Sequence, residues 1–377
     1  MNADADSRIP APIVRQHVAQ LAERLRPEGL AAAIVFHPSN MLAFTGTLHA
    51  STDRLTCGAV TCEGAVHVIC PAFERSAVAD AEALATIHTW EETENPCAVL
   101  AAALREAGIR SGTLGVDGRV WLETWYAFHA AFADVKLRSA EALLREVRIC
   151  KTPQELAILR AAHERGEKLF LALKDMLHAG MSERRVHKLV QTRMAILGIT
   201  VDPLVQSGPN AATPHNPTGD RVVQPGDNVV VDSVVTHQGY KSDLTRTYAV
   251  GEPPPRARAA YRAVREAQAA AIARAAPGVT CGDLDHAARI VIEKAGFGDY
   301  FTHRLGHGIG LEGHEPPYLH GANAERLRPG MVMTIEPGVY VPGEFGVRIE
   351  DEIAITERGC QVIRGELQTD VSEAFLA

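Results

Sequence analysis

The stretch Val229–Tyr248, VVVDSVVTHQGYKSDLTRTY, constrains this chain more than any other. A β-branched apolar run opens it, Gln238-Gly239 interrupts it, and alternating residues lead back to Tyr248. Such arms around a glycine-containing turn predict two antiparallel strands in a hairpin. Asp232 stands on one arm and Asp243 on the other. Side-chain direction repeats every second residue, so a hairpin can set both on one face. Two carboxylates facing each other in a half-buried sheet repel unless positive charge lies between them, and a divalent cation supplies that charge. The plainer reading is a capping Asp and a turn Asp, both solvated, so the rest of the chain has to decide.

At 377 residues, 46% apolar and 22% charged, the chain can build the cores of two or three globular domains. Its net charge of −8 argues against nucleic acid or an anionic membrane as a partner, because both favour basic surfaces. The first residues, MNADADSRIPAPIVRQ, carry acids and lack the apolar centre of a secretory signal. Apolar runs such as Leu30–Phe36 and Cys97–Leu104 fall far short of a membrane span, so a cytoplasmic protein is expected. Seven scattered cysteines, an odd number without a CxxC pair, read as reduced thiols.

Up to about residue 146, helix and strand patterns alternate. Helices are predicted over 12–29, Ala72–Leu84, Pro96–Ala107 and Leu122–Phe132. Strands are predicted at Leu30–Phe36, Cys57–Thr61, Ala65–Pro71, Ile87–Trp90 and Thr113–Val116, with a turn at His37–Asn40. This order implies an α/β domain over 1–146 with a mixed or mainly parallel sheet. It holds no metal-ligand cluster, and its dispersed histidines read as structural or surface residues. Thr152, Pro153 and Glu155 then spell a capping box, which opens a long helix to about Leu177 and a second domain over 150–377. Another helix runs from Met181 to about Leu197, and from Val201 the pattern turns to strand and loop. Ser207–Thr218 holds His215 among prolines, a setting that can aim a side chain at a cleft. The Ala-rich helices at 256–275 and 283–295 can face either a core or a partner.

His303–Glu315 reads HRLGHGIGLEGHE. The spacing of His303, His307 and His314 would align them on a helix, but glycines at 306, 308, 310 and 313 exclude one. The stretch is therefore a loop or extended segment in which clustered imidazoles point to metal or acid–base chemistry. Met331–Tyr340 is an apolar strand with one acid, Glu336, and no basic residue. Burying that carboxylate alone is costly. Val347–Thr356 repeats the theme, with Glu350 and Glu352 on one face and Arg348 beside them; the plainer reading of Glu350 is a salt bridge to Arg348. Asp232, Asp243, His307, Glu336 and Glu350 together make an oxygen-rich donor set suited to two divalent cations. Hard donors without a thiolate favour manganese, cobalt or iron over a structural zinc. Paired metals of this kind serve hydrolysis.

These motifs resemble the pita-bread-fold metallopeptidases, which include Xaa-Pro dipeptidase (prolidase), aminopeptidase P, methionine aminopeptidase and the metal-free creatinase. The motif match covers roughly 150–360, while the first 145 residues resemble the creatinase/prolidase N-terminal domain by size, order and position. The resemblance implies an α/β N-terminal domain followed by an α+β pita-bread catalytic domain. It places the metal ligands on Asp232 and Asp243 in DSVVTHQGYKSDLTRTY, His307 in GHGIG, Glu336 in IEPGVY and Glu350 in RIED. It implies two divalent ions per chain, manganese first and cobalt or zinc next. His215 in PHNPT, His303 and His314 match histidines that contact the scissile carbonyl or the intermediate, and Tyr340 and Arg348 match positions kept near the metals. Val234 departs from the pattern, which usually has glycine two residues after the first aspartate.

The resemblance further implies a proline-specific exopeptidase. Glu336 would move the proton, His314 and His303 would hydrogen-bond the oxyanion or substrate, and Arg348 would orient Glu350 or bind a substrate carboxylate. Xaa-Pro dipeptidase is favoured over aminopeptidase P, and methionine aminopeptidase is disfavoured by the added N-terminal domain. A ring-opening amide hydrolase of the ectoine type and a non-catalytic binding protein are the remaining alternatives. A homodimer and a proline-containing peptide are the expected partners.

Overall fold

The computed structural model describes residues 8–49 and 51–364. Its contacts divide the chain between Arg148 and Ile149.

The first unit opens with α1 (Ala11–Leu25), whose Ile13, Val14, Val18, Leu21 and Leu25 recur at helical spacing and are buried. It continues through β1 (Leu30–Val35), α2 (Pro38–Thr45), β2 (Cys57–Thr61), β3 (Val66–Pro71), a 3₁₀ segment (Ala72–Ala83), β4 (Thr86–Trp90), α3 (Pro96–Glu106), β5 (Gly112–Val116), α4 (Leu122–Ala131), β6 (Val135–Ser139) and α5 (Glu141–Arg148). The strands form one mixed sheet in the order β4-β3-β2-β1-β5-β6. β2 pairs antiparallel with β1 and with β3, and the other neighbours are parallel.

Two expectations fail in this unit. His37–Asn40 is the start of α2 rather than a turn. Residues Ser39–Thr45 are all buried, so the helix has no polar face and shows no amphipathic period. Ala72–Leu84 is 3₁₀ rather than α: it buries only Val78 and Ala81, three residues apart, which is the 3₁₀ repeat.

The second unit runs through α6 (Pro153–Leu173), α7 (Glu183–Ile196), β7 (Leu204–Ser207), β8 (Asn228–His237), β9 (Tyr240–Ala249), α8 (Pro255–Arg274), α9 (Cys281–Lys294), β10 (Gly306–Gly308), β11 (Glu315–Leu319), β12 (Val332–Ile335), β13 (Gly338–Val341), β14 (Phe345–Arg348), β15 (Asp351–Ile355) and β16 (Cys360–Val362). The capping box forms at Thr152 and Glu155, and α6 stops at Leu173, short of the expected Leu177. Three sheets result: β7-β8-β9, β11-β10-β12-β15-β16, and the pair β13-β14. One core packs α6 and α7 residues such as Phe170 and Val190 against Val229, Val231 and Leu244 of the hairpin. The other packs the Ala-rich faces of α8 and α9 against Met333, Ile335, Val347 and Ile353. Those faces therefore serve a core.

The two apolar stretches 331–340 and 347–356 are each broken in the middle. β12 gives way to β13 at Glu336-Pro337, and β14 gives way to β15 at Ile349-Glu350. Each break transfers the chain from the two-stranded to the five-stranded sheet or back. No helix among the described residues is long and apolar enough to cross a membrane. All seven cysteines are free.

Candidate metal centre

Gln238 and Gly239 both have positive φ, 46° and 80°, the conformation of a two-residue type I′ turn. The register pairs Asp232 with Thr245 and Val234 with Asp243. Asp232 and Asp243 are therefore diagonal neighbours on one face, not direct opposites. Glu350 joins them because its backbone bridges to Thr245, whose hydroxyl also donates to Glu350 Oε2 at 2.7 Å. Glu352 braces the hairpin from behind by accepting the Asp243 N–H at 2.8 Å and the Ser242 hydroxyl at 3.2 Å.

His307 arrives on β10, which has glycine on either side. A Cβ on Gly306 would strike the Thr334 carbonyl, and one on Gly308 would strike the Pro316 carbonyl. Glycine is what lets β10 lie this close to its neighbours. The His307 Nδ1 lies 3.1 Å from the Gly308 carbonyl. A carbonyl only accepts, so Nδ1 carries the proton and Nε2 faces the acids.

Ligand atoms of Asp232, Asp243 and Glu350 lie within 4.8 Å of one another. The same holds for His307, Glu336 and Glu350, and for Asp243, His307 and His314. All five residues expected as ligands thus converge, with His314 at the edge, its ring 3.9 Å from that of His307. Burial, then Asp232, Glu336 and Glu352, push the Asp243 carboxyl well above the usual range. Burial, then Asp243, Glu336 and Asp232, do the same to Glu350. Burial also pushes Glu336 up, but the hydrogen bond and charge of His307 outweigh it and hold Glu336 at about 2.

The donor set fits divalent cations on three counts. Asp243 Oδ1 and Glu350 Oε1 are buried acceptors without a hydrogen-bond partner. The His307 Nε2 stands 3.2 Å from Glu336 Oε1 and 4.0 Å from Asp243 Oδ2. With Nδ1 already donating, Nε2 is the atom that His307 turns to those carboxylates: as an imidazolium it donates to Glu336, and by giving up that proton it offers a lone pair to a cation among them. Arg246 reaches only the backbone carbonyl of Glu350, and among the described residues no Lys or Arg forms an ion pair with the Glu350 carboxylate in place of such an ion.

Arg348 is buried and does not pair with Glu350 as expected. Its Nη2 donates to Asp232 Oδ2 at 2.6 Å, its Nη1 to the Tyr340 hydroxyl at 3.0 Å and the Pro214 carbonyl at 3.4 Å, and its Nε to Thr245 Oγ1 at 3.3 Å. The reason is directional: β14 ends at Arg348, so the chain turns between it and Glu350. The Tyr340 hydroxyl, which accepts from Arg348, donates in turn to His303 Nε2 at 2.9 Å. The His303 Nδ1 donates to the Arg304 carbonyl at 2.7 Å. Both His303 nitrogens are thus engaged, and His303 has no donor left for an oxyanion. Burial pushes Tyr340 up to about 12, so it stays a phenol.

His314 differs. The Arg304 guanidinium, which only donates, lies 3.4 Å from its Nδ1, so the Nε2 carries the proton. Burial, then His307, bring His314 down to about 4 and keep it a neutral donor at neutral pH. His215 stands exposed on the rim, and its charge adds to the lowering of His303 by burial. Glu315, the acid beside His314, lies outside the cluster in a buried ion pair with Lys151 at 2.6 Å.

Sequence reasoning missed Thr245 and undervalued Glu352. The signal for Thr245 was present: it stands two residues after Asp243, on the same face of a strand.

Residues 157–357 match the model of metallopeptidase family M24, and residues 17–150 match the creatinase/prolidase N-terminal domain. An uncharacterised peptidase of Staphylococcus aureus is 34% identical over 349 residues, 92% of this chain and 98% of the relative. The crystal structure of a prolidase from Thermococcus sibiricus superposes with a TM-score of 0.85 at 30% identity, covering 92% of this chain and 96% of that one. An X-Pro aminopeptidase from Thermotoga maritima superposes with a TM-score of 0.84 at 29% identity, covering 93% and 98%.

Proposed function

Because the chain belongs to metallopeptidase family M24, we propose that this centre hydrolyses the bond before proline in small peptides. Xaa-Pro dipeptides are the favoured substrate, and aminopeptidase P activity on longer Xaa-Pro peptides is the alternative. The observation that carries this reading is the convergence of Asp232, Asp243, His307, Glu336 and Glu350 around two buried, unpartnered carboxylate oxygens. The likeness to a prolidase and to an X-Pro aminopeptidase supports the choice of substrate.

Those five side chains would hold two divalent cations, manganese first and cobalt or zinc next. When bound, such ions polarise an amide carbonyl and bring the pKa of water toward neutrality. Glu336, ionised at neutral pH, takes the proton of the attacking water and returns it to the leaving proline nitrogen. The His314 Nε2–H donates to the carbonyl oxygen as negative charge builds there. Arg348 fixes Asp232 and the Tyr340 hydroxyl, and His303 holds that hydroxyl from the other side. His215 on the rim meets the substrate.

The test is a paired assay. The protein is stripped with chelator, reloaded separately with Mn²⁺, Co²⁺ or Zn²⁺, and offered Ala-Pro and Ala-Pro-Ala. Cleavage of the dipeptide alone is the expected result. Release of alanine from the tripeptide moves the assignment to aminopeptidase P, and cleavage of neither by a metal-loaded protein refutes proline specificity.

A further inference from the structure

Helix α8 buries Ala257, Ala260, Ala263, Val264, Ala267 and Ala271 on its inner face. One long polar side chain, Gln268, interrupts this small apolar stripe at 7% exposure. Burying an amide there is unfavourable unless its hydrogens find acceptors. Both do. Gln268 Nε2 donates to the Ile335 carbonyl at 3.0 Å and to the Ile349 carbonyl at 3.3 Å. Those carbonyls belong to the peptide groups that lead directly into Glu336 and Glu350, at the two strand breaks.

We infer that Gln268 is a positioning residue that ties the two glutamates of the centre together from outside it. The assignment rests on the reading of the cluster as a metal site. Each of the two peptide planes is held at both ends. The Glu336 N–H donates to the Leu305 carbonyl at 2.9 Å while Gln268 takes the Ile335 carbonyl. The Glu350 N–H donates to the Thr245 carbonyl at 3.1 Å while Gln268 takes the Ile349 carbonyl. Regular ladders would fix these planes within a strand, but at a break they need another partner. One amide with two hydrogens serves two carbonyls, so the separation of the two breaks is set by a single planar group on a rigid helix. Neither Asn, one methylene shorter, nor an apolar residue reproduces that link. Among the described residues, the Gln268 amide hydrogen-bonds these two backbone carbonyls and no proposed ligand side chain, so its effect passes through backbone orientation to the carboxylates.

The experiment uses the full chain, stripped with chelator and titrated with Co²⁺ alone, read by visible absorption and by the dissociation constant of each equivalent. Gln268→Met keeps the volume and removes both donors. Outer partners of this kind set metal affinity by about 10–100-fold, so Gln268→Met is expected to bind Co²⁺ weaker by that factor, with an altered ligand-field spectrum and unchanged far-UV circular dichroism. If Gln268→Met does not fold, Gln268→Asn carries the test, with an intermediate loss expected. Cobalt affinity and spectrum indistinguishable from wild type in a folded variant overturn the role of Gln268 and leave the metal reading standing. A wild-type chain that takes up no cobalt overturns both.

Discussion

Under the proposed metal assignment, replacing Asp243 by Asn is expected to invert the response of this protein to metal. Asp243 and Glu350 are buried beside a partly buried Asp232, their oxygens within 4.8 Å of one another. At that separation and an effective dielectric of about 20, two ionised carboxylates repel by about 3.5 kcal/mol. The acids escape part of this by taking up protons, which is why Asp243 and Glu350 titrate high. Asn removes one charge, keeps the shape and adds an N–H for a neighbouring carboxylate. The chelated variant should therefore be more stable than the chelated wild type by about 1–3 kcal/mol, or roughly 2–10 °C in a unit of this size. Metal reverses the ranking. Manganese at about 100 times its dissociation constant should stabilise the wild type by about 2.7 kcal/mol per site, and the variant, without the proposed ligand, should gain little. Thermal unfolding with chelator and with excess Mn²⁺ at neutral pH measures all four states. The reasoning is refuted if the chelated variant melts no higher than the chelated wild type, or if manganese raises both proteins equally.

Two further predictions concern the same site. In the chelated protein the folded-state pKa values of Asp243 and Glu350 lie above their unfolded values of about 4, so the folded form holds these protons more tightly. The stability they contribute is present below about pH 4 and is lost as pH rises through the raised values, so urea midpoints should fall with pH more steeply for chelated wild type than for Asp243→Asn; parallel curves would count against it. Gly306→Ala pushes a methyl into the Thr334 carbonyl between β10 and β12. It should cost at least about 1–3 kcal/mol in urea unfolding and displace His307, and a neutral effect would show that β10 is not held as tightly as its geometry implies.

Much of the centre was legible in the chain. A carboxylate in an apolar stretch, such as Asp232 in VVVDSVV or Glu336 in MVMTIEPGVY, is a conflict that only a partner resolves, and that conflict is visible in the sequence. The Gln238-Gly239 turn announced its hairpin because only a few residues tolerate two successive positive φ angles. The capping box at Thr152 announced α6 for the same kind of reason, since it is a bond between residues three apart. Local signals lapse where an element has no exposed face. Buried α2 showed no period, and the 3₁₀ segment that follows β3 differs from an α-helix only in which two residues it buries.

The chain alone singled out the side chains that the fold brings together, because burial of charge and special backbone angles are written into residue types and short spacings. Tertiary structure decided their partners. Arg348 stands two residues from Glu350, yet it pairs with Asp232, 116 positions away, because the strand ends between the two neighbours. The Nε2 of His307 faces the acids because a carbonyl fixes the proton on Nδ1. Gln268, one polar residue in a run of alanines, meets two carbonyls 67 and 81 positions downstream. A partner so far along the chain is chosen by where two sheets and a helix pack, and no local spacing encodes that choice.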